Sequence, residues 1–181
     1  MAGNRTSSPC ARRLATSPLD DLVPGDSNGV KDIFVRSQRP PLPTVYCTTQ
    51  TNSQGCTPAI FSNGVPSASL GSGFWINATD VLNQRSGLLF YGFGSATIAF
   101  HGGTLCLAPP LRRTAVQHSG GNPPPADCSG SFTFDFNAHV ASGVDPALVA
   151  GSRVDAQYWS RDPQAASGTN LTDAIEFWVC P

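Results

Sequence analysis

The chain has 181 residues, of which 40% are hydrophobic and only 13% charged, with a net charge of −1. That is enough apolar material for the core of one ordinary domain. The balance excludes a nucleic-acid binder, which needs several cations on one face, and no apolar run approaches the ~18 residues of a membrane span.

Lys31 is the sole lysine and Glu176 the sole glutamate, whereas glycine (18) and proline (16) are plentiful. Lysine and glutamate normally dress helix surfaces, and glycine and proline mark turns, so the composition predicts a β protein with many loops. The densest cationic spots are Arg12-Arg13 and Arg112-Arg113.

Residues 1–19 are polar, arginine-bearing and aperiodic, and are expected to be a disordered leader. No apolar segment follows the arginines, so this is no signal peptide. Six cysteines and few charges nevertheless give the rest an extracellular character. The expectation is that the natural start lies upstream of Met1, or that export is signalled elsewhere. Residues 20–45 hold one strand, Asp32 to Arg36, and then a proline-rich linker at 39–43, where fixed φ favours extended chain. Asp26, Asn28 and Asp32 precede that strand. A calcium loop there would need glycine at its sixth place and glutamate at its twelfth; glycine falls fourth and Ser37 twelfth. An Asx-stabilised turn explains the stretch better.

The main domain is assigned to 46–181. Its short runs alternate with period two. In SGFWINAT (72–79) Phe74 and Ile76 share a side. GLLFYGFG (87–94) is continuously apolar, which predicts a strand covered on both faces. TIAF (97–100) and TLCLA (104–108) are short strands. GGNPPPADC (120–128) is an exposed loop. In SFTFDFNA (131–138) Phe132, Phe134 and Phe136 oppose Thr133, Asp135 and Asn137. In SRVDAQYWSR (152–161) Val154, Ala156 and Tyr158 oppose Asp155, Gln157 and Trp159. In DAIEFWVC (173–180) Ile175, Phe177 and Val179 oppose Ala174, Glu176 and Trp178. A helical turn is expected around Pro146-Ala147-Leu148, ended by Gly151. The predicted fold is all-β: a disulfide-tied antiparallel sandwich, jelly-roll-like or Ig-like, behind an extended N-terminal segment.

Six cysteines allow 15 pairings, and spacing fixes none of them. The expected bridges are Cys47–Cys56 and Cys106–Cys128, each stapling a loop to a strand end. Cys10 and Cys180 are left unassigned. CxxC is absent and His101, His118 and His139 lack ligand spacing, so no metal and no cofactor is expected.

From Tyr46 on, the chain resembles an uncharacterised domain, often C-terminal, of large secreted proteins of environmental bacteria. The residues that carry the resemblance are YCT and GCTPAI within 46–60, GLLFYG at 87–92, GGTLCLAPPLRRT at 102–114, DCSGSFTFDFNA at 127–138, DPALVAGSRVDAQYWSRDP at 145–163 and LTDAIEFWVCP at 171–181. It implies a secreted β-rich module and brings no catalytic residue. LVPGDSNGVKDIFVR at 22–36 is similar to one blade strand of TolB-like β-propellers. A lone blade strand cannot bury its own face, so this similarity implies either a propeller-strand remnant or the tail of an upstream propeller in a longer parent protein.

If the strands at 131–138 and 152–161 pair, Asp135, Asn137, Asp155, Gln157 and Trp159 share one polar face with an aromatic platform, a surface suited to a sugar ring. Ordinary solvent-facing decoration produces the same pattern. No G-x-S-x-G, H-E-x-x-H or Walker motif occurs. The reading is a non-catalytic secreted or cell-surface module that meets a glycan or a surface protein. The alternatives are a carbohydrate-binding module at Trp159 or Trp75 and, less favoured, a hydrolase using Asp135, His139 or Asp162.

Overall fold

The computed structural model describes Cys10, Arg13–Thr16, Ile33–Arg36 and residues 41–181. Asp26, Asn28 and Asp32, weighed above as a cation loop, lie outside the described residues. Within the leader, β1 (Arg13–Thr16) pairs antiparallel with β2 (Ile33–Arg36), Arg13 opposite Arg36. Cys10 is bonded to Cys180. Of residues 1–19, read above as a disordered leader, only Cys10 and Arg13–Thr16 are among the described residues. A strand at 33–36 finds its partner upstream in the same chain.

The larger of two facing sheets contains β3 (Thr44–Tyr46), β6 (Ser86–Gly92), β9 (Arg112–Arg113), β10 (Gln117–His118), β12 (Arg153–Arg161) and β13 (Thr169–Trp178). Its order is β10–β6–β12–β13–β3, and β9 pairs with the same edge of β6 further along. The smaller sheet has β5 (Trp75–Val81) between β4 (Ala59–Asn63) and β11 (Gly130–Asp135). Every pairing between these strands is antiparallel.

The alternation in the sequence decides what lies between the sheets. Ile60, Phe74, Ile76, Ala78 and Phe132 meet Leu89, Tyr91, Val154, Ala156, Tyr158, Ile175 and Phe177 in one buried cluster. Fully burying each large side chain contributes about 1.5–3 kcal/mol. Rings set the packing: Phe132 stacks on Tyr158 at 5.3 Å, and Phe177 meets Phe74 and Phe136 edge-on at 4.9 and 5.0 Å. The Tyr158 hydroxyl donates to the Ile76 carbonyl at 2.9 Å, a polar tie across the core.

A hairpin, β7 (Ser95–Phe100) with β8 (Gly103–Leu107), forms a third layer on the outer face of the larger sheet. Leu105 and Leu107 pack on Leu88 and Phe90. This explains the unbroken apolar run in β6. Leu89 and Tyr91 face the inter-sheet core, while Leu88 and Phe90 face the hairpin.

The phenylalanine alternation of 131–138 stops being a strand at Asp135. That carboxylate accepts from the Ala138 amide at 3.0 Å and the Gly73 amide at 3.0 Å, an N-cap that turns the chain into α1 (Phe136–Ala141). The helix therefore lies upstream of the turn expected at 146–148. There the chain makes a short turn closed by Leu148 N–H on the Asp145 carbonyl.

The bridges are Cys47–Cys106, Cys56–Cys128 and Cys10–Cys180. This corrects the local pairings Cys47–Cys56 and Cys106–Cys128. Cys47 follows β3 at the edge of the larger sheet, and Cys106 lies in the hairpin that covers that sheet. Cys56 precedes β4, and Cys128 precedes β11. Each bridge therefore ties elements distant in sequence, because sheet pairing has already brought them together.

Candidate functional site

The polar face expected from pairing 131–138 with 152–161 does not form. β11 pairs with β5 in the smaller sheet, and β12 lies between β6 and β13 in the larger. Each residue assigned to that face therefore has its own role. Asp135 caps α1. Asn137 is buried; its side chain accepts from the Ser67 amide at 2.9 Å and donates to the Val65 carbonyl at 3.0 Å. Gln157 is wholly buried beneath the hairpin. It accepts from the Cys106 amide at 3.0 Å and donates to the Thr104 and Thr172 carbonyls at 3.0 and 2.7 Å. Its amide thus pairs the inner edge of β8 as a strand would, which is how a polar side chain is tolerated there.

Asp155 is wholly buried as well, and of the five only Trp159 lines a cavity. It sits two residues beyond Gln157 on the same outer face, opposite Leu88 of β6. The hairpin covers Asp155 and Gln157 and ends at its turn, His101-Gly102. Both turn residues have positive φ, 49° and 79°, a region L side chains rarely adopt, so the tight reversal is imposed at His101. Beyond this turn lies a cavity of about 340 Å³. Leu88, Phe90 and Trp159 line it from the sheet, Phe100 and His101 from the hairpin, Arg113 from β9, Arg161 from the end of β12, Ser167 and Gly168 from the β12–β13 turn, and Thr169 from the start of β13.

The electrostatics of this cavity are one-sided. Arg161 lies over the Trp159 ring at 5.5 Å and Arg113 over the Phe90 ring at 5.6 Å. Such stacking holds a guanidinium in place while its in-plane N–H groups stay free. Among the described residues no Asp or Glu lines the cavity. Asp162 adjoins Arg161 in sequence but is wholly buried, accepting from the Ser53 amide at 2.8 Å and the Ala165 amide at 3.3 Å. Thr169, 6% exposed, has a hydroxyl without a hydrogen-bond partner.

A second polar cluster occupies another part of the larger sheet. The Tyr91 hydroxyl donates to Asp145 Oδ2 at 3.0 Å, and His139 Nε2 lies 3.0 Å from the same hydroxyl. The one phenolic proton is directed at Asp145, so His139 donates through Nε2–H. Arg112 pairs with Asp145. Burial holds the His139 pKa below its ordinary value, opposed by the Asp145 charge; burial and the Asp145 hydrogen bond raise that of Tyr91. His139 is also ringed by Tyr91, Phe134 and Phe136. Of the three residues considered for hydrolysis, His139 belongs to this cluster, Asp135 to the α1 cap and Asp162 to the Ser53 loop.

Sequence reasoning reached Trp159 by alternation and noted Arg112-Arg113 as a cationic spot. It missed Phe90, Phe100, His101 and Arg161 as one group. Register between β6 and β12 was the absent information.

The other tryptophan considered for a ligand, Trp75, is 42% exposed on the outer face of the smaller sheet. It stands opposite Asn63 and Asp135, with Phe61 and Asn77 along the same face. No family model matches the chain, and no curated protein or solved structure matches it.

Proposed function

We propose that this chain is a non-catalytic extracellular module that binds a saccharide in the cavity beside Trp159. Three disulfides in 181 residues fit an oxidising compartment. The observation that carries the reading is the cavity itself: aromatic rings on its floor, donors on its rim, and a volume at the low end of the ~300–1,000 Å³ usual for small-ligand sites. Aromatic faces take the C–H face of a sugar ring, and surrounding donors take its oxygens. A cell-surface glycan and an attachment behind a propeller in a longer protein accord with this role.

A glycan array followed by calorimetry on the oxidised protein tests it. Trp159→Ala is expected to abolish binding while leaving the melting temperature of the core within a few degrees. Ser167→Trp, which fills the cavity from the β12–β13 turn, is expected to do the same without removing a ring from the floor. Trp75→Ala is the internal comparison. Binding lost there and retained in both cavity variants would move the site to the outer face of β5. An array with no saccharide bound would overturn the reading.

A further inference from the structure

We infer that the saccharide recognised at this cavity carries a carboxylate, so that the ligand class is a uronic-acid-containing glycan; this rests on the saccharide reading above. The first ground is unpaired charge. Arg112 and Arg153 each have a carboxylate partner, whereas Arg113 and Arg161, the two that line the cavity, have none among the described residues. Both are fixed over rings, so their positions are set before a ligand arrives. That lowers the ordering cost of binding.

The second ground is what the chain withholds. Asp162 is the acid nearest Arg161 in sequence, yet backbone amides take up its carboxylate inside the fold. In a chain with only 13% charged residues and a net charge of −1, two unneutralised guanidiniums on one cavity set its local sign.

A carboxylate fits this better than a neutral sugar or a sulfate ester. The guanidinium fork matches a planar two-oxygen acceptor in bidentate fashion. Phe90 and Trp159 present apolar surface to the ring that carries the acid. His101 on the rim adds a ring N–H donor.

The probes are oligogalacturonate, its carboxyl-reduced neutral counterpart, and a sulfated neutral oligosaccharide, titrated calorimetrically into the intact oxidised chain. The expected result is binding of oligogalacturonate at least tenfold tighter than of the reduced form, weakening as salt rises from about 0.05 to about 0.5 M. Arg161→Ala and Arg113→Ala are each expected to weaken it about tenfold or more, the scale of a charge-assisted hydrogen bond. Arg161→Lys should recover only part of that loss, since an ammonium lacks the fork. Both arginines are exposed, so these variants keep the fold, checked by circular dichroism. Equal affinity for acidic and reduced forms, unmoved by either arginine, would overturn the acid assignment and leave the saccharide site standing. Preference for the sulfated probe would overturn the carboxylate in favour of a tetrahedral anion. No binding of any probe, with an empty glycan array, would overturn both.

Discussion

Replacing Cys56 and Cys128 together by serine removes one bridge and leaves no thiol behind if the pairing is Cys47–Cys106 and Cys56–Cys128. Had the bridges been local, the same double variant would break two and leave Cys47 and Cys106 as free thiols. Stability separates the two arrangements as well. The bridges interleave along the chain, closing separations of 59 and 72 residues. With Cys47–Cys106 intact, the path from Cys56 to Cys128 runs through that bridge and spans only about 31 residues. On the loop-entropy estimate the lost bridge then costs about 3.7 kcal/mol, not the ~4.4 kcal/mol of the full loop. Removing both costs about 8 kcal/mol, within the ~5–15 kcal/mol that holds a whole domain together. The single-bridge variant should therefore melt roughly 10 °C lower, at about 2–4 °C per kcal/mol for a chain of this size. The double-bridge variant should fail to fold. Thiol titration under denaturing, non-reducing conditions reads the pairing directly. A tryptic map adds a second reading: peptides 37–85, 86–112 and 114–153 should run as one linked species until reduced. Two titratable thiols in the double variant, or peptide 37–85 migrating alone, would refute the crossed arrangement.

Two further outcomes follow from buried polar groups. Tyr158→Phe removes the hydroxyl's hydrogen bond to the Ile76 carbonyl between the sheets and should cost about 1 kcal/mol in denaturant melts with an unchanged m-value; no loss would mean the hydroxyl tie is idle. Burial lowers the His139 pKa in the fold below its unfolded value, so the neutral ring is the one the fold favours. Its contribution is fully present above the unfolded pKa of ~6.5 and is lost as pH falls below that through the folded value. Melting temperature should thus fall more steeply from about pH 7.5 to about 5 in the parent than in His139→Gln, which keeps a donor for Tyr91. Parallel profiles would remove His139 from the account.

Alternation along the chain was a sound guide to which side chains face one another. Val154, Ala156 and Tyr158 do share the inter-sheet core, as do Ile175, Phe177 and Val179. The apolar run at 87–92 is covered on both faces. What alternation cannot encode is what covers a face. Asp155 and Gln157 have the pattern of solvent-facing strand residues and are wholly buried, because a hairpin remote in sequence folds over them. Asp135 reads as one more outward strand residue, yet its carboxylate ends the strand. Cystine pairing failed for the same reason as sheet membership. Loop length favours near neighbours, whereas the strands had already fixed which cysteines meet.

That hidden layer has a functional consequence, because the hairpin that buries Gln157 also builds one wall of the cavity. Phe100 and His101 stand at its turn, and what holds the hairpin down is the Gln157 amide, the Leu105 and Leu107 contacts, and Cys47–Cys106. Cys56–Cys128 instead ties the segment before β4 to the segment before β11, and neither cysteine lines the cavity. The two bridges enclose the same short path of about 31 residues when either is removed alone, so the entropy estimate gives both single-bridge variants the same cost of about 3.7 kcal/mol. Their effects on binding should nonetheless differ. At a temperature where both remain folded, Cys47→Ser/Cys106→Ser should weaken saccharide binding several-fold, as the wall becomes free to lift. Cys56→Ser/Cys128→Ser should bind as the parent does. Calorimetry on the two variants at matched folded fraction decides it. Equal affinity in both would show that the bridge does not position the wall. A larger loss in the Cys56/Cys128 variant would place the binding surface on the smaller sheet, beside Trp75.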